Sequence, residues 1–279
     1  MIIRILQVDA FTSTPYTGNP AAVAVIDGGH VPVWPADTAL QALALEMNLS
    51  ETAFPRRRPD GQWDLRWFTP ATEVDLCGHA TLATAHALFQ LGLARGNDGR
   101  AAEITFHTRS GALICRTDAG SAGAITMDFP RAEAEPSGPV EGLAEALGAE
   151  VVDQGRSFDL VAQLASPAEV AAVQPDLTAL AHIDTRAVVI TAAGDIDGGP
   201  AHFVSRVFGP RVGVPEDPVT GSAHCITGPW WGQRLGLTEL EAHQVSARGG
   251  RMRVRLAGNR VELTGHAVTV LDGTLLSDL

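Results

Sequence analysis

Two short phrases in the 279-residue chain carry residue types that move protons and hold anions. The first runs Asp75-Leu76-Cys77-Gly78-His79-Ala80. The second runs Asp217-Pro218-Val219-Thr220-Gly221-Ser222-Ala223-His224. In each, a glycine is followed by a polar residue and then by an apolar stretch. Each therefore reads as a strand turning into a helix, with His79 or Ser222 in the first helical turn. Helix N-termini carry unpaired N–H groups and the positive end of the helix dipole, which suits a carboxylate or an enolate oxygen. Gly78 and Gly221 would let the backbone approach a ligand closely.

Each of these residues also has a plain structural role open to it. His79 could only bond backbone at its helix start. Asp217 could cap the turn, and Ser222 could be an N-cap. Cys77 could carry a lowered thiol pKa at the helix N-terminus and act as a base, or be a small buried hydrophobe. Its counterpart in the second phrase is Thr220, and Cys225 lies further along, so a two-thiol proton relay is disfavoured. Glu51, in Asn48-Leu49-Ser50-Glu51-Thr52-Ala53-Phe54, sits among apolar residues. It reads either as an acid/base group with a raised pKa or as a surface glutamate capping a short turn. Thr220-Gly221-Ser222 is no nucleophile elbow, since G-x-S-x-G is absent.

The phrases have matching surroundings. Arg66-Trp67-Phe68-Thr69-Pro70 precedes the first, and Arg206-Val207-Phe208-Gly209-Pro210 precedes the second. Leu91-Gly92-Leu93 and Leu235-Gly236-Leu237 close the two apolar stretches. Three matching elements in one order argue for two homologous halves. The length suits two domains of ordinary size, assigned as 1–125 and 126–279, with a return of the tail 267–279 to the first domain left open. Helices are expected at Ala36–Met47 and Ala80–Leu93, the second apolar all round and so buried in its domain. Strands are expected at Ile5–Ala10, Ala22–Ile26, Leu65–Phe68, Ile104–Thr108, Ala112–Thr117 and Ala124–Phe129. In the second half, helices are expected near Val140–Leu147, Pro167–Val173 and Leu177–Ala181, then Ser222–Leu235 with a kink at Pro229. Strands are expected there at Ala187–Thr191, His202–Phe208, Met252–Leu256, Arg260–Leu263 and Ala267–Leu271. Arg251, Arg253 and Arg255 alternate and read as a solvated sheet edge.

Composition narrows the chemistry. A net charge of -12 argues against nucleic acid and anionic membranes as partners. All 20 basic residues are arginine, so Schiff-base lysine chemistry and a Walker P-loop are excluded. Three dispersed cysteines suggest no disulfide framework, and nine histidines without an HExxH pattern suggest no metal. No apolar run approaches the ~20 residues that span a bilayer. The N-terminus reads as a strand rather than a signal peptide, so a cytoplasmic location is expected.

The phrases together resemble the phenazine-biosynthesis (PhzF-like) family, which shares the diaminopimelate epimerase fold. Val8-Asp9-Ala10-Phe11, Gly18-Asn19-Pro20-Ala21-Ala22-Val23, Asn48-Leu49-Ser50-Glu51-Thr52, Phe68-Thr69-Pro70 with Cys77-Gly78-His79-Ala80-Thr81, and Asp217 to His224 carry the resemblance over nearly the whole chain. It implies an α+β fold of two similar domains, each a mixed barrel-like sheet around a central helix, with the active site in the cleft between them. It also implies a homodimer without cofactor that isomerises a small carboxylate-bearing metabolite by proton transfer. The best-understood reaction of the family is isomerisation of trans-2,3-dihydro-3-hydroxyanthranilate. By the resemblance Glu51 is the acid/base, and His79 and Asp217 act beside it. Asn19, Cys77, Gly78, Gly221 and Ser222 line the substrate site. Cys77 matches a cysteine of the two-thiol epimerases, which keeps open a racemase or epimerase that pairs Glu51 with Cys77. A non-catalytic protein that binds small acids is the other alternative.

Overall fold

The computed structural model describes residues 3–26, 33–94, 101–117, 123–277 and 279. Residues 119–122, which begin a stretch rich in Gly, Pro, Ala and Ser that runs to Pro139, lie outside them. The chain divides into two compact units, Met1–Asp128 with Thr264–Leu279, and Phe129–Leu263.

The first unit contains β1 (Ile3–Ala10), β2 (Asn19–Val25), α1 (Asp37–Met47), β3 (Glu51–Arg57), β4 (Trp63–Phe68), β5 (Glu73–Val74), α2 (Gly78–Gln90), β6 (Glu103–Thr108) and β7 (Gly111–Thr117). β8 (Ile125–Pro130) then leads out of it. β1 pairs antiparallel with β2, β2 parallel with β3, β3 antiparallel with β4, β4 parallel with β6, and β6 antiparallel with β7. α2 packs on β1, β2 and β3. Nine of its 13 residues are buried, as expected for a helix apolar on all sides. Most are Ala or Thr, whose small side chains let the surrounding strands come close.

The second unit contains β9 (Glu135–Pro136), α3 (Leu143–Leu147), β10 (Asp153–Arg156), β11 (Leu160–Gln163), α4 (Pro167–Ala172), α5 (Leu177–His182), β12 (Val188–Ala193), β13 (Phe203–Gly209), β14 (Val214–Asp217), α6 (Gly221–Leu235), β15 (Glu239–Gln244), β16 (Gly250–Ala257) and β17 (Arg260–Gly265). From β10 to β16 the pairings repeat those of the first unit: antiparallel, parallel, antiparallel, parallel, antiparallel. α6 packs on β12, β15 and β16. The approach to β16 is close, since a Cβ at Gly228 would lie 2.6 Å from Val254 Cγ1 and one at Gly232 would lie 2.5 Å from Leu256 Cδ1. β18 (Ala267–Leu275) pairs antiparallel with β1 in the first unit. The architecture is the α+β, diaminopimelate epimerase-like fold, with a mixed sheet around one helix in each unit.

Some local expectations change. The local pattern predicts no strand over β3, β10, β11 or β15. β3 holds Pro55 and β15 reads Glu-Leu-Glu-Ala-His-Gln, so local propensity opposes the strand in both; tertiary pairing decides it. The arginines of β16 do not form a solvated edge, because β16 is paired with β15. Arg251 meets buried Asp195 at 2.8 Å, and Arg255 Nε meets Glu262 at 2.7 Å. α6 runs on through Pro229, which has no N–H to donate to Cys225 O. Ala132 N–H supplies that carbonyl instead, at 3.1 Å.

Candidate active site

In the first unit a stop signal, a glycine and a helix start converge. Asn48 takes the left-handed conformation (φ 49°) and donates its N–H to Ala44 O, which ends α1. The chain turns through Leu49 and Ser50 and enters β3 at Glu51, whose register partner is Ala21 of β2. Asn19 opens β2 and is fully buried. Gly18 before it has φ 68°, and a Cβ there would lie 2.3 Å from Ala10 O, so a side chain does not fit. Cys77 is the extended N-cap of α2 and makes no side-chain cap. The first amides of α2 thus lack a side-chain acceptor from their own N-cap. Neither Gly78 nor Gly221 takes a positive φ.

His79 lies at the centre of this group. Its Nε2 is 3.0 Å from Glu51 Oε2. Its Nδ1 is 3.2 Å from Asn19 Nδ2 and 3.5 Å from Cys77 Sγ. Ser50 Oγ donates to Asn19 Oδ1 at 3.3 Å. The Glu51–His79 approach is an ion-pair distance without hydrogen-bond alignment, so Glu51 Oε2 is buried with no aligned partner among the described residues. Burial opposes charge on His79, but Cys77 and Glu51 outweigh it and raise its pKa well above the imidazole value of 6.5. Burial first, and then Glu51, push the Cys77 thiol up to about 11. Cys77 is therefore neutral near pH 7, which leaves Glu51 as the acidic group beside His79. A protonated ring needs an acceptor at Nδ1, which Asn19 supplies when its amide turns Oδ1 toward the ring. One donor atom each from Glu51, Cys77 and His79 lies within 4.8 Å of the others, a spacing that could hold a metal ion.

The second unit builds the other helix start differently. Gln244, buried on β15, accepts from Thr220 N–H at 2.8 Å and donates from Nε2 to Asp217 O at 2.7 Å. Ser246 Oγ donates to Pro218 O at 2.6 Å. The Asp217–Thr220 turn is thereby held from outside, and Thr220 Oγ donates to the Asp217 carboxylate. Arg186 makes a two-point pair with buried Asp159, at 2.8 and 2.6 Å, and donates to Ser222 Oγ at 3.2 Å. Burial opposes charge on Arg186, but Asp159 and then Asp217 raise its pKa. His224, one turn into α6, donates Nδ1–H to Thr220 O at 2.8 Å. Burial lowers its pKa to about 4, so it is neutral at pH 7.

Asn19, Glu51, Cys77, Gly78 and His79 thus gather in the first unit, and Asp217, Gly221 and Ser222 in the second. Sequence reasoning missed Ser50, Asp159, Arg186 and Gln244. Arg186 and Asp159 sit just before and at the edge of strands, and Gln244 ends one. No local pattern marks them, since each acts through a partner distant in sequence.

The repeated Arg-x-Phe phrases are scaffold. Arg66 makes a two-point pair with Glu73, both bonds 2.7 Å, and Arg206 does the same with Glu216 at 2.8 and 3.0 Å. Each guanidinium also lies over the phenylalanine two residues on. Each pair ties the strand before the helix start to the short strand that follows it.

A family profile described as "Phenazine biosynthesis-like protein" matches residues 8–273. The chain belongs to this family. A Pseudomonas aeruginosa relative, described as an uncharacterized isomerase, is 45% identical over 275 residues, covering 99% of each chain. A crystal structure of a phenazine biosynthesis protein of the PhzF family from Enterococcus faecalis superposes with a TM-score of 0.89 at 37% identity. The match covers 99% of this chain and 100% of that one. A hydroxyproline epimerase from Agrobacterium vitis, solved with trans-4-hydroxy-L-proline, shares the fold at a TM-score of 0.61 and 12% identity. That match covers 99% of this chain and 93% of that one. The protein is an isomerase of the phenazine biosynthesis-like family. Among the described residues no helix is long and apolar enough to cross a membrane.

Proposed function

We propose that this isomerase moves a proton on a small carboxylate-bearing metabolite without a cofactor, with Glu51 as general acid and base. The observation that carries the reading is the buried Glu51 oxygen, 3.0 Å from His79 and without an aligned hydrogen bond. A carboxylate held this way is poised to accept a proton from carbon. It becomes the neutral acid, the substrate takes up the negative charge, and Glu51 returns the proton to another carbon or to the other face. His79 carries a proton of its own. As Glu51 is neutralised, Nε2–H can donate to the substrate oxygen that gains charge, together with the first amides of α2.

The resemblance assigns Asp217 and Ser222 to the same reaction, as a proton-handling group and a substrate contact. Arg186 supports that assignment by adding a cation at Ser222. Asp159 and Gln244 act as positioning residues. The racemase alternative needs a Cys77 thiolate, and a thiol titrating at about 11 supplies very little of one near neutrality. A homodimer and a cytoplasmic location belong to the same reading, and light scattering on the purified protein tests the first.

The test is proton NMR in D₂O with a panel of small cyclic and amino carboxylates, dihydro-hydroxyanthranilate among them. Deuterium uptake or isomerisation that disappears in Glu51→Gln supports the reading. Equal exchange in the Glu51→Gln variant overturns it.

A further inference from the structure

We propose that Glu51, Cys77 and His79 also form a binding site for a thiophilic divalent cation such as Zn²⁺, and that its occupancy shuts off proton transfer. The donor set is the argument. A thiol, an imidazole and a carboxylate are all zinc ligands, and their donor atoms lie within 4.8 Å of one another. Zinc bonds of about 2.0–2.3 Å put neighbouring donors of a tetrahedral site about 3.3–3.6 Å apart. Here His79 Nε2 is 3.0 Å from Glu51 Oε2 and 4.0 Å from Cys77 Sγ, while the sulfur is 3.5 Å from Nδ1, so the Cys77 and His79 side chains must rotate to present both donors to one ion.

Two further observations point to a ligand at this place. Glu51 Oε2 is buried and without an aligned hydrogen bond, so it has coordination capacity to spare. Asn19, held by Ser50, lies beside the other ring nitrogen. With Nε2 on the metal, Nδ1–H requires an acceptor, and the Asn19 carbonyl oxygen is within reach when the amide turns. Such an outer partner orients metal-bound histidines elsewhere. Three protein ligands leave the fourth position to water or to a substrate carboxylate. On binding, the Cys77 sulfur and His79 Nε2 bond to zinc, and the thiol proton and the Nε2 proton both pass to buffer. The Glu51 oxygen then no longer accepts a proton from carbon. The inhibition rests on Glu51 being the acid/base; the binding does not.

The experiment is a Co²⁺ titration of the full chain followed by absorption spectroscopy. It is expected to give one equivalent of cobalt with a sulfur-to-cobalt charge-transfer band, displaced by Zn²⁺, and an affinity loss of about 100-fold or more in Cys77→Ser. Absence of the band in the wild type, or an unchanged band in a folded Cys77→Ser variant, overturns the site. If that variant fails to fold, alkylation of the wild type with mass-spectrometric readout decides. Zn²⁺ must protect Cys77 and not Cys115 or Cys225; no protection at Cys77 overturns the site. Deuterium exchange that stops with Zn²⁺ and returns with EDTA supports the inhibition, and undiminished exchange at full occupancy overturns it. If cobalt binds as expected while Glu51→Gln exchanges normally, the acid/base reading has failed and the metal site has not.

Discussion

The starts of α2 and α6 grow from the same phrase and the same pairing order, yet they are chemically unlike. The α2 start is a largely buried cluster of ionisable side chains, with Glu51, His79 and Cys77 in mutual reach. The α6 start is a braced turn, with Gln244 and Ser246 holding the Asp217–Thr220 backbone and Arg186 reaching Ser222. Both keep the arginine–glutamate brace and a helix N-terminus. At the helix starts themselves, the two differ in the first-turn residues and in what distant strands bring against them. The family scaffold thus supplies two anion-friendly helix termini, and the side chains brought around each decide its chemistry.

The sharpest way to break the comparison is Glu51→Gln. Exchange of substrate protons is expected to fall by about 10²- to 10⁴-fold, the usual contribution of a general base. Far-UV circular dichroism should be unchanged. A variant with full exchange would place the chemistry elsewhere.

The two arginine braces are expected to differ next. Arg206 also donates to the carbonyls of Val170, Ala171 and Val173, whereas Glu73 keeps Arg109 when Arg66 is lost. Arg206→Ala is therefore expected to cost about 3–5 kcal/mol in urea unfolding. Arg66→Ala should cost clearly less. Equal losses would mean that the extra bonds of Arg206 contribute nothing.

The two helix histidines have opposite linkage. His79 has a folded pKa above 6.5, so its stabilisation is fully present below pH 6.5 and fades as pH rises through the folded value. His224 has a folded pKa of about 4, so its contribution is complete above pH 6.5 and is lost as pH falls toward 4. At one pKa unit per 1.36 kcal/mol, the His224 loss is about 3 kcal/mol at full extent. Replacing His224 with Gln should flatten the acid limb of the stability profile, while Glu51→Gln should flatten the limb above pH 6.5. Imidazole NMR titrations give each direction directly.

The smallest expected effect is Gln244→Ala. It leaves the Thr220 N–H without its acceptor, at a cost of about 1–3 kcal/mol. If Gln244 positions Asp217, turnover should drop with kcat more than with KM, and Gln244→Glu should restore little, because a carboxylate cannot donate to Asp217 O. Loss of stability with unchanged kcat would make Gln244 structural only.

Much of this was legible from residue types. Glycine before His79 and Ser222, apolar residues all along α2, and the repeated Arg-x-Phe phrase depend only on neighbours in the chain, and local sterics and periodicity report such features directly. Glu51 was ambiguous by that route, because its surroundings come from β2 and α2 rather than from residues 49–54.

The sequence by itself determined which residues could carry chemistry and where the two helices begin, since N-terminal dipoles and glycine conformations are local properties. Only the tertiary structure decided which carboxylate meets His79, that burial and not the helix dipole governs the Cys77 thiol, and that Arg186, Asp159 and Gln244 belong to the second helix start. The reason is physical: pKa values and hydrogen-bond partners depend on desolvation and on charges a few ångströms away, and those arrive through strand pairings between residues far apart in the chain.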